Sequence, residues 1–174
     1  MKKLLEQLIE TQNNLDELNW RKAAGGALLA ASLLGVPSIA QAATPVKITQ
    51  EEKQNIVAKV IAGEAAGEGY MGMKAVACVI QNRKKDPIKV VTKPYQFSAY
   101  NDKALMNRNY AKVKKEADEL ASQIGKLDDI TGGATHYVAK WLYDKKKDDP
   151  KSWISKMKVT KIIGNHVFMV EAPK

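Results

Sequence analysis

One cysteine and two histidines in 174 residues limit what this chain can do. Cys78 alone forms no internal disulfide and says nothing about redox compartment. Its neighbours Ala77 and Val79 mark it as a small buried hydrophobe rather than a nucleophile. With no cysteine cluster to join His136 and His166, a structural zinc site lacks its ligands, and no metal or cofactor is expected. Long hydrophobic runs are also scarce. The uncharged stretch 23–43 has an apolar core of 14 residues, 23–36, whereas a spanning helix needs about 20. Acidic side chains are outnumbered 28 to 19, for a formal charge of +9. Lys2, Lys3, Arg21 and Lys22 cancel against Glu6, Glu10, Asp16 and Glu17, so the excess lies beyond residue 43. Such a domain suits a polyanionic partner: nucleic acid, an anionic membrane or an acidic cell-wall polymer. Clustered arginines interleaved with aromatics are missing, and the lysines are scattered, so nucleic acid is not expected.

What the chain does have divides at about residue 43. Leu4, Leu5, Leu8, Ile9, Leu15 and Leu18 alternate with polar residues, a pattern for an amphipathic leader helix or a merely solvated one. Arg21-Lys22, the apolar core, Pro37 and the small-x-small site Ala40-Gln41-Ala42 then resemble a secretory signal. A signal's charged region is normally short, and here about twenty residues precede the core. Cleaved signal, uncleaved anchor making membrane contact, and packaging in a phage particle all remain open. The expected locations are correspondingly the periplasm or cell envelope, or a virion. Residues 44–174 read as one further domain, expected to be a monomer.

That domain opens on Thr49-Gln50-Glu51-Glu52, a capping box that starts a helix carrying Ile56, Val57, Val60 and Ile61 on one face. Glu64 arrives as this face runs out, and Gly67 and Gly69 let the backbone turn away. An acid held between an apolar face and a glycine turn loses hydration, which favours the protonated form that can donate. On spacing alone the plainer reading prevails, with Glu64 and Glu68 as solvated charges near a helix end. A second helix follows over residues 70–83, with Met73, Val76, Ala77 and Ile80 on its stripe. Lys85-Asp86-Pro87 breaks the pattern, and residues 88–107 lack periodicity and read as a long loop. This loop carries Tyr95, Gln96, Phe97, Ser98, Tyr100 and Asn101, side chains suited to stacking on sugars and bonding acetamido groups. A third helix is expected over 108–124 with Val113, Ala117, Leu120 and Ile124 inward and Gly125 as its stop.

The C-terminal part reads as extended. Residues 159–163 and 166–170 form a hairpin across the turn Gly164-Asn165, and residues 135–138 supply another strand. Residues 145–149 are a charged loop that can touch an anionic polymer or simply solvate. His136 and His166 belong either to a cleft or to strand ends braced on backbone carbonyls. Trp153, in a polar stretch, is a candidate sugar platform; Trp141 reads as readily as core; Phe97 and Phe168 are expected in the core.

Taken in order, Gly63-Glu64-Ala65-Ala66-Gly67-Glu68, Asn82-Arg83, Gln96-Phe97-Ser98 with Asn101-Asp102, Ala134-Thr135-His136-Tyr137, Trp153 and Gly164-Asn165-His166 resemble the spore cortex-lytic enzyme family, also called the cell-wall hydrolase family. The resemblance covers residues 49–170. It implies a lysozyme-like α+β fold: three main helices with a small antiparallel sheet flanking a cleft, preceded here by the helical leader. It implies cleavage of the β-1,4 bond between N-acetylmuramic acid and N-acetylglucosamine in peptidoglycan strands. The family is thought to act as lytic transglycosylases with one glutamate, which assigns catalysis to Glu64 and 1,6-anhydro ends to the product. Glu68, Gln96, Ser98, Asn101, His136, Tyr137, Trp153, Asn165 and His166 become candidate substrate contacts. The alternatives are a muramidase-type hydrolase with Glu68 or Asp102 as second carboxylate, or a non-catalytic basic module binding peptidoglycan or nucleic acid. Spore cortex as the target is not implied.

Overall fold

A computed structural model of the chain describes residues 48–173. The expected leader helix and signal-like segment, both within residues 1–43, lie outside them. Thr49 opens helix α1 (Gln50–Ala65) as the capping box requires. Its hydroxyl accepts from the Glu52 N–H at 3.1 Å, and the Glu52 carboxylate accepts from the Thr49 N–H at 2.7 Å. These bonds pull the Glu52 carboxyl below its ordinary value. The helix buries Val57, Ala58, Val60, Ile61, Ala62 and Ala65, and the four α-helices that follow it in the chain pack against it.

A single turn, Ala66–Glu68, leads into α2 (Gly69–Asn82). Residues Ala75 to Ile80 of α2 are all buried, so this helix has no solvent face over its middle. Met73, Val76, Ala77, Cys78 and Ile80 join the core around α1, while Ala75 and Val79 join Ala134 and Phe168 under the sheet. Burying each such Val or Ile is worth about 1.5–3 kcal/mol, and α2 thereby ties two layers together. Cys78 is fully buried, as its neighbours suggested, and burial raises its thiol pKa.

The stretch read as a loop is more ordered than that. Pro87 begins a short helix, α3 (Pro87–Val91), capped by Asp86 through the Ile88 N–H at 3.1 Å. Proline breaks a helix interior but is pre-set for a first turn, and five residues are too few to show periodicity. Ser98–Asn101 forms a 3₁₀ turn. Asp102 then caps α4 (Lys103–Lys112) through the Leu105 N–H at 2.9 Å.

The expected third helix is two helices, α4 and α5 (Lys114–Ser122), separated at Val113, whose φ of −129° leaves the helical region. Both halves face α1, so the i, i+4 stripe survives a one-residue break that periodicity does not register. Across the break the Tyr110 hydroxyl accepts from Asn55 Nδ2 at 3.0 Å and donates to Asp118 at 2.7 Å.

Strands β1 (His136–Ala139), β2 (Met157–Ile163) and β3 (His166–Glu171) form an antiparallel sheet in the order β1-β3-β2. The hairpin turn Gly164-Asn165 is where the sequence placed it, with Gly164 at φ +54°. A bulge at Thr160 shifts the β2–β3 register, and its hydroxyl donates to the Thr131 carbonyl at 2.6 Å. Tyr137 and Phe168 lie directly opposite one another on the face toward α2. Val138, Val167 and Met169 occupy the other face, covered by Ile154 and by Leu142 and Tyr143 of α6 (Lys140–Lys146). Lys145 and Lys146, expected in a loop, end this helix, and Lys146 pairs with Asp149 at 2.9 Å. Phe97 and Phe168 are buried as expected, whereas Trp141 is 68 % exposed. Among the described residues no helix is long and apolar enough to cross a membrane.

Candidate active site

Glu64 stands in the last turn of α1, half-buried, and its carboxylate is reached from two other segments. Oε1 accepts from the Ala99 N–H at 2.6 Å and from the Ser98 hydroxyl at 3.2 Å. Oε2 accepts from the Tyr137 hydroxyl at 2.8 Å. A helix C-terminus disfavours negative charge, and these three donors oppose that effect. Ser98 is exposed, so the group is open to solvent on that side.

The approach of the 98–101 turn depends on Gly63. A Cβ there would lie 2.5 Å from Ala99 Cβ and 3.2 Å from Met106 Cγ. Only a residue without a side chain lets the turn settle on the helix closely enough for the Ala99 N–H to reach Glu64.

Tyr137 is held by rings on three sides: Phe168 stacked at 5.7 Å, His166 edge-on at 5.3 Å and Phe97 at 6.2 Å. Its hydroxyl is pushed well above the ordinary tyrosine value, first by burial and then by the Glu64 charge and hydrogen bond. It remains a neutral phenol that can donate or accept.

The end of α2 joins the two segments that supply these donors. Arg83 Nε donates to the Thr135 carbonyl at 2.9 Å, just before β1. Its Nη1 donates to Gln96 Oε1 at 2.9 Å, and the guanidinium lies over the Phe97 ring at 5.2 Å. Asn82 donates to Asp129 at 3.2 Å, to the Thr131 hydroxyl at 3.3 Å and to the Ala134 carbonyl at 3.0 Å. Asp129 also takes the Thr131 hydroxyl and the Gly133 N–H, each at 2.6 Å. Burial by itself would raise the Asp129 carboxyl, but these donors outweigh it and bring it below its ordinary value.

The candidate contacts therefore separate into groups. Ser98 and Tyr137 meet Glu64 directly. Gln96 is engaged with Arg83, and Asn101 closes the 3₁₀ turn at the surface. Glu68, expected to be solvated between glycines, instead accepts from the Asn165 N–H at 2.8 Å and from Asn165 Nδ2 at 3.1 Å, with His166 Nδ1 4.0 Å away. His136 pairs with Met169, on the sheet face opposite Tyr137, and its ring lies 5.7 Å from Trp153. His136 and Trp153 therefore meet on the other side of the sheet from the Tyr137 ring. Burial and then the Arg83 charge lower the His136 pKa. Asp102 is engaged as a helix cap. Gly63, Asn82 and Arg83 carry more of the site than their residue types suggested. The only sequence sign was their place immediately before Glu64 and at the end of the second helix.

A model of the Cell Wall Hydrolase family matches residues 67–169, beginning just after Glu64 and taking in Glu68, Arg83, Ser98, Tyr137 and His166. A spore cortex-lytic enzyme of Halalkalibacterium halodurans is 33% identical over 121 residues, which is 65% of this chain. The chain spans about a third (33%) of that curated relative's length. The catalytic domain of the germination-specific lytic transglycosylase SleB from Bacillus anthracis superposes with a TM-score of 0.53 at 26% identity, covering 73% of this chain and 100% of that one. The catalytic domain of the Bacillus cereus SleB protein gives 0.52 at 27% identity, covering 72% and 94%.

Proposed function

The chain belongs to the cell wall hydrolase family, and from that premise we propose that it cuts peptidoglycan strands between N-acetylmuramic acid and N-acetylglucosamine as a lytic transglycosylase. The observation that carries the reading is the setting of Glu64: one carboxylate, open toward Ser98 and positioned by three donors from two segments. The similarity to a solved domain named as a germination-specific lytic transglycosylase supports it.

The Ala99 N–H can only donate, so Oε1 can accept from it in either protonation state of the carboxyl. The Tyr137 hydroxyl donates to Oε2, and the exposed Ser98 side is where a sugar can reach the carboxyl. In the first step protonated Glu64 gives its proton to the glycosidic oxygen as the bond from C1 of N-acetylmuramic acid breaks. The charge developing at C1 is met by the sugar's own acetamido oxygen. In the second step ionised Glu64 removes the proton of the C6 hydroxyl, whose oxygen bonds to C1. A 1,6-anhydro ring closes, no water is consumed, and Glu64 regains its proton. A hydrolytic route with two carboxylates would need a second acid across the sugar. Asp102 is engaged in capping and Glu68 in the Asn165 turn, which favours the single-acid route.

Glu64→Gln in the full chain, assayed on purified peptidoglycan, tests both parts of the reading. The variant should fold and be inactive, and wild-type digests should contain muropeptide ends lighter by one water that resist borohydride. A folded, fully active variant overturns the role of Glu64; reducible ends in the wild-type digest make water the nucleophile.

A further inference from the structure

Glu68 sits at the N-cap position of α2, and its side chain makes no bond to the helix's own free N–H groups. It reaches across to the hairpin turn instead, and both oxygens are occupied there, at 2.8 and 3.1 Å from the two Asn165 donors. The path is cleared by glycines: a Cβ at Gly72 would overlap Glu68 Cβ, and one at Gly164 would overlap Glu68 Oε2. The Glu68 side chain is only 15% exposed. On its other side the turn is held by the Lys140 N–H, which donates to the Asn165 carbonyl at 2.7 Å. The residue after Asn165 is His166, whose ring meets Tyr137 edge-on at 5.3 Å, and Tyr137 donates to Glu64.

We infer that Glu68 is a positioning residue: its carboxylate clasps the β2–β3 turn at Asn165, and through His166 and Tyr137 it fixes the wall against which Glu64 is held. It takes no part in bond breaking. This rests on the reading of Glu64 given above, and it explains why a second carboxylate so near in sequence does not make a two-acid site.

A polarity swap in the full chain separates clasping from chemistry. In Glu68→Gln one oxygen still accepts from the Asn165 N–H, but the new amide faces another amide donor. Asn165→Asp sets two carboxylates against each other. Combined, the Gln amide donates to the Asp carboxylate and the clasp is rebuilt with reversed polarity. On solubilised peptidoglycan strands each single variant should lose about tenfold in kcat with KM little changed, the worth of one charge-assisted bond. The double variant should return to within about threefold of wild type. Amide exchange at Asn165, which needs no substrate, should quicken about tenfold in Glu68→Gln and slow again in the double variant. A Glu68→Gln chain that fails to fold, beside a double variant that folds and cuts, supports the clasp equally. The inference is overturned if the double variant folds but stays as slow as Glu68→Gln, because the carboxylate itself is then needed. It is overturned too if Glu68→Gln matches wild type in rate and in Asn165 exchange. Should wild type leave peptidoglycan intact, the reading of Glu64 falls, and the exchange measurement alone still decides the clasp.

Discussion

Gly63→Ala sets two physical rules against each other. Glycine inside a helix costs about 0.8–1 kcal/mol relative to alanine, so propensity predicts a more stable protein. The structure predicts a damaged one. The added methyl would lie 2.5 Å from Ala99 Cβ, at least 1 Å inside ordinary contact, and 3.2 Å from Met106 Cγ. Met106 can rotate, but Ala99 moves only with its backbone, so the 98–101 turn must shift outward by about 1 Å. The Ala99 N–H to Glu64 bond, now 2.6 Å, would then reach about 3.6 Å, beyond hydrogen-bonding range. Overpacking costs about 1–3 kcal/mol, so the net loss of stability should be about 0–2 kcal/mol. Loss of a preorganised donor at the reacting group costs about 100-fold in rate. Thermal melting with turbidity clearing of peptidoglycan measures both quantities. The expected outcome is a melt lowered by the equivalent of about 0–2 kcal/mol, with activity down about two orders of magnitude. Ala99→Gly in the same chain removes the colliding methyl and should restore most of the rate. A Gly63→Ala protein that is about 1 kcal/mol more stable and fully active would refute the reasoning, because the turn would then not be seated on Gly63.

Two further predictions concern pH. Asp129 has its folded pKa below the unfolded value of about 3.9, so its stabilisation is present above that value and is lost as pH falls through the folded one. Asp129→Ala should lower stability at neutral pH by about 2–3 kcal/mol and flatten the acid side of the denaturation curve; an unchanged acid limb would show that the Asn82 network contributes nothing. Tyr137 and Tyr110 are both raised, chiefly by burial, so above about pH 10 the unfolded chain releases protons that the folded chain keeps, and stability falls as pH rises. Absorbance titration near 295 nm should show Tyr110 and Tyr137 ionising late, with Tyr137→Phe removing part of that late signal.

Much of this fold is legible in the sequence where a local rule acts alone. The Thr49 box, the apolar stripe of α2 and the Gly164-Asn165 turn need only neighbouring residues to be specified, and each stands where the sequence placed it. What escaped was decided by partners far along the chain. The break at Val113 leaves the spacing of buried residues intact, and only the joint packing of α4 and α5 on α1 reveals it. Glu68 reads as a solvated charge because its neighbours are glycines, yet its partner is 97 positions away. His136 and Tyr137 are adjacent in a signature, but strand alternation puts them on opposite faces of the sheet. Arg83 reads as a helix-end cation, although it ties the Gln96 loop to the approach of β1.

The burial of α2 on all sides has a consequence for how this molecule comes apart. Two hydrophobic cores draw on the same helix, one on Met73, Val76 and Ile80 and the other on Ala75 and Val79. Neither layer can therefore loosen while the other keeps its full complement of contacts. The Glu64 carboxylate hangs from the helical layer, and the hydroxyl that steadies it comes from the sheet. A chain in which those layers have parted holds its acid without the Tyr137 donor. The carboxylate proposed to cut therefore has its full set of donors only while both layers are packed on α2.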